Sequence, residues 1–344
     1  MSTMIRTASL ALLSAITAEF LLGDQWLGGA AGAGQQVAQL VLFTAFYGSA
    51  AVLIREIARR SGRGWPSILM LALAFGVIEE GLVDQSLFNP DFAGRRLLDS
   101  GFVPALGIGG PWTVFVLTLH VVWSMGAPIA IAEALFPRHT ASRAAVAPQV
   151  QAPWLRTGGI ITAGILCALG AAAIWFVTTI AAGFQAAPAQ LVVSLVIAVA
   201  LVVAALRLPR RRPRATRPAW PAVLAGLAVS SAFLLVDHNA EGIGPWAMTA
   251  ILLALLAAGA TSAAILRLDV LGLAIGAVLS YGWVGLVSAS AVGWGAVLEQ
   301  SLIVLAVLAA VVVALVRRSR TPAIVEPGDS SLGDPSVVDV SRSA

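Results

Sequence analysis

The sequence contains no lysine, and charged residues of all kinds make up only 11% of its 344 positions. Soluble domains carry about 25% charged residues, so this composition excludes an ordinary soluble domain. All 21 basic residues are arginines. They stand in short blocks beside apolar runs, which is typical of membrane topology signals and not of a nucleic-acid-binding surface. We therefore expect no nucleic-acid partner.

The chain is also poor in residues that hold metals or form disulfides. It has one cysteine and three histidines, and Cys167, inside an apolar run, has no second cysteine for an intrachain disulfide. The sequence has no phosphate-binding loop, no G-x-S-x-G and no H-E-x-x-H. The glycine-rich stretch 107–110 lacks the flanking strand and helix of a dinucleotide fingerprint. No motif indicates a cofactor or a soluble catalytic domain.

Long hydrophobic runs are what the sequence has in abundance: 59% of its residues are hydrophobic and its mean hydropathy is +0.91. A helix needs about 20 apolar residues to cross a hydrocarbon core of roughly 30 Å. The sequence therefore predicts an all-α, polytopic integral membrane protein surrounded by the lipid bilayer. Its ten predicted spans lie at roughly 6–28, 35–57, 66–88, 111–136, 157–182, 189–208, 219–237, 246–266, 268–290 and 295–316.

The arginines support this count. With the N-terminus and the C-terminus both cytoplasmic, 19 of the 21 arginines fall in cytoplasmic segments, as the positive-inside rule requires. Arg-rich cytoplasmic loops are predicted at 137–156 and 207–218, and only Arg95 and Arg96 fall in the outer segment 88–110. We expect a bacterial-type plasma (inner) membrane, a transmembrane domain over 1–316 and a disordered cytoplasmic tail over 317–344. Cleavage of the first span as a signal peptide is an open alternative.

Three carboxylates near the end of the third span stand out, in the stretch FGVIEEGLVDQSLFNP at residues 75–90. At 1.5 Å per residue, Glu79 and Glu80 lie roughly 10 Å below the outer membrane boundary, with Asp84 one turn further out. His120 of the fourth span falls about 12 Å below the same boundary. An acid within the bilayer is costly and normally faces the bundle interior. We therefore predict that these groups meet in a polar cavity open to the outside.

Further polar residues lie at similar depths and complete the candidate set. Ser124 shares a helix face with His120, four residues away. The other candidates for substrate binding or proton relay are Tyr281, Glu299, His238, Arg95 and Arg96. His120 and His238 are the only histidines in or at the edge of the predicted spans, so they are the candidate metal ligands, although the sequence does not determine whether a metal is bound.

Adjacent carboxylates in a low dielectric do not both ionise easily, which suits general-base chemistry or proton exchange. The structural alternative is that Glu79, Glu80 and Asp84 neutralise one another by protonation or pair with Arg95 and Arg96 folding back over the outer face. Likewise, His120 is either a hydrogen-bonded packing residue or part of a site.

An apolar helix ending in a glutamate pair, then a histidine on the next span and another at a later helix end, resembles the CAAX-type and bacteriocin-processing intramembrane proteases. The resemblance covers about 60 residues around the third and fourth spans. It implies that Glu79 or Glu80 activates water, that His120 is the histidine of the second motif and that His238 is that of the third. Asp84 stands where that family has an arginine.

Three functions are compatible with these residues. The first is an intramembrane protease-like hydrolase that uses Glu79, Glu80 and His120 on a peptide substrate. The second is a proton-coupled secondary transporter of a small solute, in which the same carboxylates take up and release protons. The third is a membrane scaffold in which the acids are structural. The sequence leaves open whether the protein is an enzyme.

Overall fold

A computed structural model describes residues 2–23, 32–137, 151–209, 218–236 and 243–319. These residues form ten helical rods, which confirms the predicted all-α membrane fold. In chain order they are α1 (Thr3–Ala15 with Ile16–Phe20), α2 (Ala33–Phe43, Thr44–Gly48 and Ser49–Arg60), α3 (Trp65–Ile78 with Glu79–Val83), α4 (Gly110–Leu119, His120–Gly126 and Ala127–Leu135), α5 (Thr157–Trp175 with Phe176–Ala181), α6 (Pro188–Arg207), α7 (Ala219–Leu235), α8 (Pro245–Ile265), α9 (Val270–Val292) and α10 (Trp294–Ser319).

Eight of the described rods, α2–α6 and α8–α10, are long and apolar enough to cross a membrane, and α7 is apolar but shorter. The first rod ends at Phe20, well before the predicted end of the first run at 28. The rods follow the ten apolar runs in order, while the number that span the bilayer and the side on which the termini lie stay predictions.

The predicted outer segment between α3 and α4 is irregular, as its glycine and proline content indicates. Its regular element is a two-stranded antiparallel hairpin, in which β1 (Phe102–Val103) pairs with β2 (Ile108–Gly109). The segment carries the chain from the end of α3 to Gly110, where α4 begins.

The arginine-bearing ends of several helices lie together at one end of the bundle. Arg63, just after α2, donates to the backbone carbonyl of Leu208 at the end of α6. Arg317, near the end of α10, donates to the carbonyl of Leu135 at the end of α4, at 2.7 Å. The even-numbered helices α2, α4, α6 and α10 therefore end on the same side, as the alternation of the arginine blocks predicts.

A buried ion-pair network closes this arginine-rich end. The guanidinium of Arg59 makes a bidentate pair with Glu133, at 2.7 Å from Nε to Oε1 and 2.6 Å from Nη2 to Oε2. Arg55, fully buried, lies 2.6 Å from Glu56 and 3.2 Å from Glu133. Its guanidinium also lies 3.6 Å from the ring centroid of Trp154. Because each charge has a partner, the network fixes α2 against α4 without leaving a buried ion uncompensated.

Each of the first five rods contains one π-helical segment, and among the described residues α6–α10 contain none. These segments are Ile16–Phe20, Thr44–Gly48, Glu79–Val83, His120–Gly126 and Phe176–Ala181. π-Helical turns are rare and often mark functional sites, because they re-aim side chains and free backbone carbonyls. Their concentration in one half of the chain indicates where a site lies.

Candidate functional site

The glutamate pair of α3 and the histidine of α4 form one group. Nε2 of His120 lies 2.6 Å from Oε1 of Glu80, and Nδ1 lies 3.1 Å from Oε2 of Glu79. The residues His120, Glu80 and Glu79 are only 5%, 4% and 3% exposed, respectively. The imidazole is therefore held between two carboxylates, as counting residues along the two spans predicts. The described residues leave all three groups almost fully buried, and the predicted cavity open to the outside stays a prediction.

Two local features allow both glutamates to reach the same ring. In a regular helix Glu79 would point about 100° away from Glu80, but a π-helical segment begins at Glu79. In addition, α3 and α4 approach closely at Gly76, where an added Cβ would lie 3.1 Å from the Cβ of His120. Glycine at this position keeps the imidazole within reach of the carboxylates.

Tyr47 of α2 completes one side of the group, and sequence reasoning missed it. Its hydroxyl donates a hydrogen bond to Oε1 of Glu79. Its ring is stacked on the imidazole of His120, with centroids 6.0 Å apart and planes 11° apart. Glu19 of α1 also interacts with the Tyr47 hydroxyl. The available signal was a phenol hydroxyl in the middle of an otherwise apolar run.

Residues that follow α3 close another side of the group. The Ser86 hydroxyl donates to Oε2 of Glu80 and accepts from the indole N–H of Trp112 at 3.3 Å. Asp84 accepts the backbone N–H of Ser86 at 3.0 Å and lies within electrostatic range of Glu80. Asp84 thus belongs to the edge of the group, and its bond to Ser86 helps to place the serine hydroxyl.

The π-helical segments free backbone carbonyls that a serine satisfies. Ser14 of α1 donates to the carbonyl of Ser124 at 2.6 Å and lies 3.2 Å from the carbonyl of Tyr47. Ser124 in turn places its hydroxyl 3.4 Å from Nδ1 of His120. Ser and Thr side chains commonly satisfy such freed groups in membrane helices. Four helices, α1–α4, therefore meet at this site.

The structure places the remaining predicted residues elsewhere. Arg96 is exposed and pairs with Asp99 at 2.6 Å, and Arg95 is also exposed. Among the described residues, neither arginine forms an ion pair with the glutamates, so the structure does not contain the fold-back pairing that the sequence left open as an alternative. Tyr281 of α9 is stacked on Trp123, with centroids 4.3 Å apart.

One further predicted residue does not enter the described group, and another cannot be placed because it is outside the described residues. Glu299 lies half-buried in α10, beside Gln300, whose amide donates to the carbonyl of Leu21 at 2.6 Å. His238 lies outside the described residues, so its predicted role in a third motif stays a prediction.

The arrangement provides a set of groups suited to proton transfer or metal binding. One oxygen from Glu79, one from Glu80 and one nitrogen from His120 all lie within 4.8 Å of one another. Oε2 of Glu79 is buried and has no hydrogen-bond partner; its nearest charged contact is the ring nitrogen Nδ1 of His120 at 3.1 Å. One carboxylate oxygen is therefore free to accept a proton or to bind an ion.

The chain matches one protein-family model over residues 9–244, which is more than half of its length. The matched region includes every residue of the group described above. No curated protein matches the chain significantly, and no solved structure does either. The matching model describes an uncharacterized membrane protein family, and this chain belongs to that family.

Proposed function

We propose that this protein is an intramembrane hydrolase that cleaves an amide bond with Glu79, Glu80 and His120. The observation that carries the proposal is the enclosed contact of two glutamates with one imidazole at a membrane depth where isolated acids are costly. The π-helical segments that aim these side chains support a functional role over a purely structural one.

Glu79 is the candidate general base. Both oxygens of Glu80 have partners, the imidazole and Ser86, whereas Oε2 of Glu79 has no hydrogen-bond partner. A water bound at this oxygen gives its proton to Glu79 as its own oxygen attacks the carbonyl carbon of the substrate. General-base assistance of this kind contributes about 10²–10⁴-fold to the rate.

His120 is the candidate electrophile. Its Nδ1 lies 3.1 Å from Oε2 of Glu79, so an N–H at this nitrogen is beside the position at which the carbonyl oxygen develops negative charge. Such preorganised donors stabilise the tetrahedral intermediate. When the C–N bond breaks, the proton held by Glu79 passes to the leaving amine; the products are an amine and a carboxylic acid, which gives up its remaining proton to water.

The substrate class follows from the depth of the site and from the resemblance to the intramembrane proteases. A peptide embedded in the bilayer can place its amide bonds at the same depth as Glu79, Glu80 and His120. We therefore propose a membrane-embedded peptide as the substrate. The glutamate pair and His120 are the residues through which the resemblance runs, while Asp84 replaces the arginine of that pattern.

The test uses the full chain in liposomes with a pool of single-span synthetic peptides. Products are read by mass spectrometry in ¹⁸O-labelled water. Hydrolysis places one ¹⁸O atom in the new carboxyl group, and Glu79→Gln should remove at least 99% of the cleavage. The matched control is Asp91→Asn, which changes an exposed acid of the outer segment and should cleave like the unmodified chain. Cleavage that persists in Glu79→Gln refutes the proposed base.

A proton-coupled transporter is the second candidate, because the imidazole connects the two carboxylates in a continuous chain. Protons can pass between Glu79 and Glu80 through the ring of His120, as in the proton relays of pumps and transporters. Solute uptake that collapses with the proton gradient, without any ¹⁸O-labelled product, favours this candidate. If neither activity is found and Glu79→Gln fails to fold, the scaffold hypothesis is favoured.

A further inference from the structure

We infer that Glu79, Glu80 and His120 bind one divalent transition-metal ion. The inference rests on the same three residues as the proposed hydrolase and would change one role in it: with Glu79 and His120 as ligands, the ion would act as a Lewis acid on the attacking water in place of Oε2 of Glu79, while the binding itself does not depend on that activity. One donor atom from each residue lies within 4.8 Å of the other two. In a tetrahedral zinc site with bonds of about 2.0–2.1 Å, donors lie roughly 3.4 Å apart, so small side-chain rotations complete the site.

The charge of the group favours a dication. Among the described residues, His120 is the only salt-bridge partner of either glutamate. Two carboxylates are thus enclosed with at most one positive charge, and Asp84 adds a third acid at the edge. Burying charge is expensive unless it is compensated. A dication neutralises both glutamates at once and leaves the imidazole neutral, as a ligand must be.

The unpartnered oxygen is the second observation. Glu79 is 3% exposed, and its Oε2 has no hydrogen-bond partner in the described structure. Buried polar atoms are nearly always satisfied. This oxygen faces Nδ1 of His120 at 3.1 Å, which is the direction in which the other donors lie. An ion bound there would satisfy it.

The hydrogen-bond partners of the proposed ligands match those found around metal sites. Both proposed carboxylate ligands are held by a hydroxyl from their surroundings, Glu79 by Tyr47 and Glu80 by Ser86. In metalloproteins such partners orient the ligands, and their loss typically lowers metal affinity 10–100-fold.

The donor set also selects the class of metal. Mg²⁺ and Ca²⁺ prefer oxygen ligands alone, whereas one imidazole with two carboxylates suits Zn²⁺, Co²⁺, Mn²⁺ or Fe²⁺. Three protein ligands leave a fourth position for water, as in catalytic zinc sites.

The experiment titrates Co²⁺ and Zn²⁺ into the full chain, purified in detergent and stripped with a chelator. We expect one ion per chain by mass spectrometry of the metal, and a visible Co²⁺ absorption band that Zn²⁺ displaces. His120→Gln and Glu79→Gln should each weaken Co²⁺ binding at least 100-fold, and Asp91→Asn should leave it unchanged.

The outcomes separate this inference from the proposed hydrolase. A folded, unmodified chain that binds no stoichiometric Co²⁺ or Zn²⁺ overturns the inference, as does a Co²⁺ spectrum that His120→Gln leaves unchanged. Peptide cleavage that survives complete chelation refutes a role of the ion in the reaction, while the hydrolase stands. Stoichiometric binding without cleavage refutes the hydrolase while the metal site stands. If the glutamine variants do not fold, Tyr47→Phe provides the same comparison with a smaller change.

Discussion

Tyr47→Phe isolates the contribution of one hydroxyl to the site. The phenol O–H donates to Oε1 of Glu79, while the ring itself is stacked on the imidazole of His120 at 6.0 Å. Tyr47 is only 4% exposed, and phenylalanine keeps the same ring in this buried position. The substitution therefore removes a hydrogen bond to a carboxylate and leaves the packing of α2 against α4 in place.

The size of the effect follows from the kind of bond that is lost. A hydrogen bond to a charged group contributes about 1.5–3 kcal/mol, and every 1.4 kcal/mol or so is a factor of ten in affinity. We expect Co²⁺ to bind Tyr47→Phe about 10- to 150-fold more weakly. The assay is titration of the stripped chain in detergent, followed by Co²⁺ absorption.

Tyr281→Phe is the matched control, since the chain has only two tyrosines. It removes the same hydroxyl oxygen from a buried tyrosine ring. That ring belongs to α9 and is stacked on Trp123 of α4, not on His120. Its Co²⁺ affinity should stay within twofold of the unmodified chain. Equal losses in the two variants, or no loss in Tyr47→Phe, would show that the hydroxyl does not position Glu79.

Three further predictions concern the surroundings of the site. Ser86→Ala removes a hydrogen-bond donor to the second glutamate and should lower the rate of peptide cleavage about tenfold; an unchanged rate in steady-state kinetics contradicts this. Gly76→Ala places a methyl group 3.1 Å from the Cβ of the histidine and should lower both the unfolding temperature and Co²⁺ affinity, by an overpacking cost of about 1–3 kcal/mol. Gly164→Ala, where the added atom meets nothing within 4 Å, should do neither. Arg59→Met removes the bidentate partner of buried Glu133 and leaves it with Arg55 alone; it should cost up to about 3–5 kcal/mol in unfolding experiments, whereas Arg59→Met with Glu133→Leu should recover most of the loss. A double variant no more stable than the single one argues against the ion pair.

The helices and their order could be predicted, because each helix is indicated by the hydrophobicity of its own stretch of sequence. A run of about 20 apolar residues in a membrane must form a helix, since the backbone has no other way to satisfy its polar groups. Proline and tryptophan at residues 65–66 place the start of α3 where the structure has it. The end of α1 was harder, because apolar residues continue beyond Phe20 in the sequence.

The convergence of Glu79, Glu80 and His120 was also predictable, since depth along a helix is a matter of counting residues. The pairing of Glu133 with Arg59 was not, because the partner lies 74 positions away. Neither was the position of Arg96, whose local ion pair with Asp99 competes with any fold-back over the acids.

The sequence by itself determined the membrane class, the helical rods and the depth of the acids, because hydrophobicity and rise per residue act along one dimension. Only the tertiary structure decided which way each side chain points. Glu79, Tyr47 and His120 each lie in a π-helical segment, and a helix's rotation about its axis depends on the neighbours against which it packs. Tyr47 therefore joined the site through a contact that no residue count along α2 could have found.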